Sequence, residues 1–201
     1  MSLAGNLDAP ENWYGGFYEL AICLGPPDDG RLNAALMAVW RCACVQGCYR
    51  RAAERHLPVE CSLRTLEQHG HLAGIVRLPD GGELVCGVTV VREPEGDDWL
   101  DFYLPLGALG KHDPRVGAFP FGDDGGAISQ AWREPIESWL ANVGAATFGE
   151  VPFGHAVIGF EASGTALDEV TKPDRYYGVL VGGTGDVEHL PVARWDFGTP
   201  A

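Results

Sequence analysis

The chain has 201 residues, 46% hydrophobic and 21% charged, a balance that supports a buried core and excludes a disordered chain. Acids outnumber bases 28 to 14, and the net charge of −14 repels nucleic acid and anionic membrane while attracting a basic protein or a cation. No apolar run reaches the roughly 20 residues that cross a bilayer, and Met1–Pro10 lacks the basic and apolar segments of a signal peptide.

Residues 1–10 are expected to form a flexible N-terminus ahead of one compact domain over 11–198. Trp13 to Leu24 alternates, and Tyr14, Tyr18, Leu20, Ile22 and Leu24 fall on one face of a strand. Pro26-Pro27-Asp28-Asp29-Gly30 breaks it. Asp28 or Asp29 can cap the next helix, because a carboxylate accepts from the unpaired amides of a first turn. The pattern predicts that helix from Arg31 to Glu54, apolar nearly all round at first, then polar and basic at Arg50 and Arg51. Pro58 limits its extension. Cys61 to Gly70 reads as loop or as a short helix at Leu63 to Gln68.

Strands over His71 to Leu78 and Glu83 to Val91 flank the hairpin signal Pro79-Asp80-Gly81-Gly82. Glu93 to Asp98 is an acidic turn. Trp99 to Leu106 alternates again, and Pro105 suggests an edge strand or a strand end. Gly107 to Gly126 reads as the longest loop. Ile136, Trp139, Leu140 and Val143 form the stripe of a second helix. Pro135 suits the first turn of that helix, leaving Ile128 to Arg133 as a separate turn, or else it marks a kink. Strands over His155 to Ala162, Arg175 to Val181 and Val187 to Trp195 follow, the last two joined by Gly182 to Asp186.

The expected fold is therefore α+β, a mainly antiparallel sheet with two principal helices in the order β-α-βββ-α-βββ. Two αβββ halves, 11–110 and 120–198, share an Asp-Asp-Gly run before each helix and a Leu-Pro before the end of each third strand. A duplicated unit is one reading of that pattern, and the cleft between halves would then be a ligand site.

Six cysteines fit a reducing compartment, so a cytoplasmic location is expected. Cys44 and Cys48 share a face of the predicted helix, and His69 and His71 share a strand face. Four such ligands could make a tetrahedral zinc site. However, no C-x-x-C pair occurs, and cysteines in an apolar helix pack as small hydrophobes. Neither metal nor other cofactor is expected. The acidic turn departs from a calcium loop, because Asp98 stands where glycine is required and no closing Glu follows. Gly182 to Gly185 precedes a strand and lacks the Gly-Lys-Ser/Thr ending of a phosphate loop.

The expected site is a surface. Glu93, Glu95, Asp97, Asp98 and Trp99 come from the acidic turn, and Phe119, Phe121, Asp123 and Asp124 from the long loop. Exposed aromatics beside carboxylates are the makings of a protein-binding patch. The leading expectation is a non-enzymatic protein-binding module, an immunity- or antitoxin-like inhibitor of a basic partner. The alternative is a small-molecule-binding protein, or an enzyme of a type the motifs do not reveal, with a site between the halves near the 107–126 loop.

Overall fold

Strand β1 (Phe17–Gly25) alternates with a period of two, and its position in the sheet uses both faces of that alternation. It pairs antiparallel with β5 (Asp98–Pro105) on one side and β6 (His155–Phe160) on the other. Beyond β5 lie β4 (Glu83–Arg92), β3 (Leu72–Arg77) and β2 (Gln46–Tyr49). Beyond β6 lie β7 (Gly178–Gly182) and β8 (Val187–Leu190). The result is an α+β fold with one eight-stranded antiparallel sheet, in the order β2-β3-β4-β5-β1-β6-β7-β8. This computed structural model describes residues 7, 9–92, 96–121, 126–165 and 176–192.

Four helices accompany the sheet: α1 (Asp29–Cys42), α2 (Leu63–His69), α3 (Leu106–His112) and α4 (Ala127–Phe148). α1 and α4 pack together and against the sheet. They cover Tyr18, Leu20, Ile22 and Leu24 of β1, Leu100, Phe102 and Leu104 of β5, and Ile158 of β6. This is the helix face. The far face carries Glu19, Ala21 and Cys23 of β1, Trp99, Asp101 and Tyr103 of β5, and Val157 of β6. Among the described residues, no helix is long and apolar enough to cross a membrane.

The helix predicted from Arg31 to Glu54 ends much earlier. Asp28 caps its start, accepting from the Arg31 N–H at 3.0 Å. It stops at Cys42, and Cys44 takes a left-handed φ of 53° that turns the chain back. The Trp40 indole N–H donates to the Gly47 carbonyl at 2.9 Å and fixes the return as β2. Cys44 and Cys48 therefore share no helix face, and Arg50 and Arg51 belong to the segment after β2. Among the described residues, no group of three or more His, Cys, Asp or Glu side chains is placed to hold a metal ion.

Two other expectations change. The 107–126 stretch is not one long loop. It contains most of α3, a 3-10 turn at Pro114–Val116, and Phe119 in the core. Pro135 lies inside a continuous α4. Pro135 and Ala131 both face solvent, so the carbonyl that loses its amide partner can bond water. The two proposed halves meet in an unbroken ladder, because β1 bonds β5 and β6 at once.

Candidate functional site

The far face of a sheet covered by helices on one side would ordinarily be polar and wet. Here its centre is buried and contains two carboxyl groups. Glu19 is 4% exposed and Asp101 is 2% exposed. In register, Glu19 faces Tyr103 and Ala21 faces Asp101, so the two acids are diagonal neighbours on one face.

The roof over them comes from the end of β6. Glu161 takes a left-handed φ of 46°, unusual for a residue with a Cβ. That kink carries Ala162 and Ser163 back across β1, where the Ser163 N–H donates to Glu19 at 3.0 Å. Gly87 and Gly159 permit aromatic walls: a Cβ on Gly87 would lie 2.4 Å from the Tyr103 ring, and one on Gly159 2.3 Å from Tyr177. Neither glycine could be replaced without moving a ring.

Burial raises the Glu19 carboxyl to about 7, against the backbone amides of Ser163 and Ala162, which favour its ionised form. Burial and the nearby Glu19 raise Asp101 to about 8. Tyr103 is raised well above the usual phenol range, first by burial. Asp101 Oδ1 has no hydrogen-bond partner. The pair thus holds protons near neutral pH, in a site that can exchange protons but is closed by the Ser163 segment.

The residues expected from sequence are scattered by this fold. Glu93, Glu95, Asp123 and Asp124 lie outside the described residues. Asp98 is only 1% exposed. It accepts from the Asp28 N–H at 3.1 Å and faces Arg92, tying β5 to the start of α1. Trp99 is 5% exposed and packs edge-on to His155 at 5.3 Å on the far face. Asp97 accepts from Cys23 Sγ at 3.3 Å. Phe119 is 5% exposed, wedged against Trp132 and Tyr18 in the core. These are packing and bridging roles.

Phe121 differs, being 84% exposed. Its ring meets Phe160 edge-on at 6.1 Å, and Phe160 leans on Phe119 at 6.2 Å. Glu161 follows Phe160 and is exposed. Gly16, with φ +84°, passes beneath both: a Cβ there would be 2.7 Å from Glu161 Oε1 and from the Phe160 ring. The end of β6 therefore presents two aromatic rings on the helix face, with the Glu161 carboxylate beside them at the strand end. Glu161 also pushes the Glu19 carboxyl upward.

Glu19, Asp101 and Glu161 were not among the expected site residues. Glu19 and Asp101 occupy polar positions in alternating strands, which sequence reads as solvated. A faint signal existed, since the acids interrupt the otherwise aromatic and apolar runs Phe17 to Leu24 and Trp99 to Leu104.

Further cavities open among the described residues, two of them beside α4 and beside Tyr103. One of about 340 Å3 lies between α4 and Pro191–Val192, with Arg133 and Glu137 in its wall. Glu137 accepts from the Val192 N–H at 2.9 Å and Arg133 lies over the Phe119 ring at 5.2 Å. The other, of about 510 Å3, is lined by Trp13, Phe17, Tyr103, Arg51 and His71. Compared with family models, curated proteins and solved structures, the chain gives no match.

Proposed function

We propose that the chain is a binding protein for a basic protein partner, with an immunity- or antitoxin-like inhibitor as its concrete form. The observation that supports this reading is Phe121, almost fully exposed against Phe160 and beside Glu161 in a chain of net charge −14. The Phe121 ring stands mostly in water and meets the core only through the edge of Phe160. An Arg or Lys of a partner can lie over the Phe121 and Phe160 faces while its charge meets Glu161, a contact of about 0.5–2 kcal/mol. The acidic field would speed the encounter and make it depend on salt.

The test uses the full chain as bait in lysate of its native host, alongside Phe121→Ala and Glu161→Gln. The reading expects a stoichiometric basic protein that the parent captures at low salt and releases as salt rises. Both variants should capture less of it. Equal capture by parent and variants would remove this surface from the interaction, and capture of acidic proteins would end the charge argument.

A further inference from the structure

A recess open to solvent has Trp13, Phe17 and Tyr103 among its walls. The Trp13 and Tyr103 rings stand edge to face, 6.4 Å apart at 77°, and Phe17 lies 4.4 Å from Tyr103. Their positions are built in. Gly87 leaves room for the Tyr103 ring. The 3-10 turn Pro10–Trp13 is held against α3, where Lys111 donates to Asn12 at 2.8 Å. A volume of about 510 Å3 lies in the range of sites for small organic ligands.

The mouth of the recess has the opposite charge to the rest of the chain. Arg51 and His71 line it, and burial together with the Arg51 guanidinium holds the His71 imidazole below its usual range, so the charge at the mouth is that of Arg51. His71 is hydrogen-bonded to the Arg50 backbone, and Arg50 itself pairs with Glu54 at 2.9 Å. Arg51 has no ion-pair partner among the described residues, although the chain holds two acids for every base. Three aromatic walls alone would also suit a cation, through the negative faces of the rings. A guanidinium at the mouth reverses that preference, because it repels a second cation and offers a planar donor fork to a carboxylate, sulfonate or phosphate.

We propose that this recess binds a small planar or apolar molecule bearing one anionic group, the ring system against the Trp13, Phe17 and Tyr103 side chains and the anion at Arg51, beside His71. The inference does not rest on the basic-partner reading, which concerns Phe121, Phe160 and Glu161.

Three probes test it on the full chain: anilinonaphthalene sulfonate, its uncharged counterpart phenylnaphthylamine, and phenyltrimethylammonium. The sulfonate should bind one to one and more tightly than the uncharged probe. Arg51→Gln should weaken the sulfonate about tenfold, the worth of one charge-assisted contact, and leave phenylnaphthylamine unchanged. Arg51→Lys should restore part of the loss. Ala53→Trp, at the exposed wall of the recess, should weaken both, with a thermal midpoint equal to the parent's showing that the fold is kept. If that variant melts early, a fall of tryptophan-to-probe energy transfer in Trp13→Phe, larger than in Trp139→Phe on the helix face, replaces it as the test of location. The proposal is overturned by no sulfonate binding, by sulfonate binding indifferent to Arg51→Gln, or by tighter binding of phenyltrimethylammonium.

Discussion

Asp101 and Phe102 are consecutive in β5 and point to opposite faces of one sheet. Both are buried. Phe102 meets Trp139 edge-on at 6.1 Å and sits among aliphatic side chains beneath the helices. Asp101 meets a second carboxyl and keeps one oxygen without a partner. The same strand therefore buries hydrocarbon on one side and a proton-binding group on the other. Burial of Phe102 should therefore contribute stability that is independent of pH, while the far face should contribute more when its acids are protonated.

The largest expected effect is on the helix face. Phe102→Ala should cost about 3–5 kcal/mol, because the transfer energy of the ring and the cavity left behind add. Urea midpoints at pH 5 and pH 8 should fall by the same amount. A loss confined to one pH would mean that the two faces are not energetically separate.

The far face should respond to pH itself. In the unfolded chain both carboxyls ionise near pH 4. In the folded chain they keep protons to about 7 for Glu19 and about 8 for Asp101. Between those limits the folded form binds more protons, so stability present below pH 4 is lost as pH rises towards 8. The Glu19 shift alone is worth on the order of 3 kcal/mol. Glu19→Gln with Asp101→Asn should flatten this slope and leave the double variant more stable than the parent at pH 8. A parent whose unfolding midpoint is level from pH 4 to pH 8 would show that the acids are not held neutral.

A smaller effect separates a packed far face from a wetted one. Gly87→Ala places a methyl against the Tyr103 ring, and moving that ring should cost about 1–2 kcal/mol. The accompanying change should be weaker binding of phenylnaphthylamine, since Tyr103 is also a wall of the recess. Unchanged stability and unchanged binding together would mean that Tyr103 moves freely.

The helix face was legible in the sequence because alternation is a local signal: Tyr18, Leu20, Ile22 and Leu24 share a face in the sequence pattern and in the structure. The hairpin at Pro79–Gly82 was legible for the same reason, since its turn residues are contiguous. What failed was long-range. Nothing near Cys42 marks the end of α1 as strongly as Trp40 reaching Gly47 does, and that bond exists only after β2 has folded back. Pro135 is tolerated because its side of α4 faces water, a fact of packing. The candidate site was less legible than the fold. Glu19 and Asp101 are 82 residues apart, on strands whose pairing sequence does not state, and Ser163 reaches Glu19 through a left-handed kink at Glu161 that no motif announces. Phe119 and Phe121 look equivalent in sequence, yet one is core and the other surface.

Within that last pair Phe121 gives the smallest effect on stability, and the two together give the sharpest separation of roles. Phe119→Ala removes a ring that touches Tyr18, Trp132 and Phe160 and should destabilise by about 3 kcal/mol or more. Phe121→Ala removes a ring that rests on Phe160 alone among the described aromatic contacts, and should change stability by less than about 0.5 kcal/mol. If Phe121 is kept for a partner, its variant melts with the parent and still loses the basic protein that the parent captures. If instead it melts several degrees early, the ring is clamping Phe160 over Gly16, and the exposed aromatic end of β6 belongs to the fold rather than to recognition.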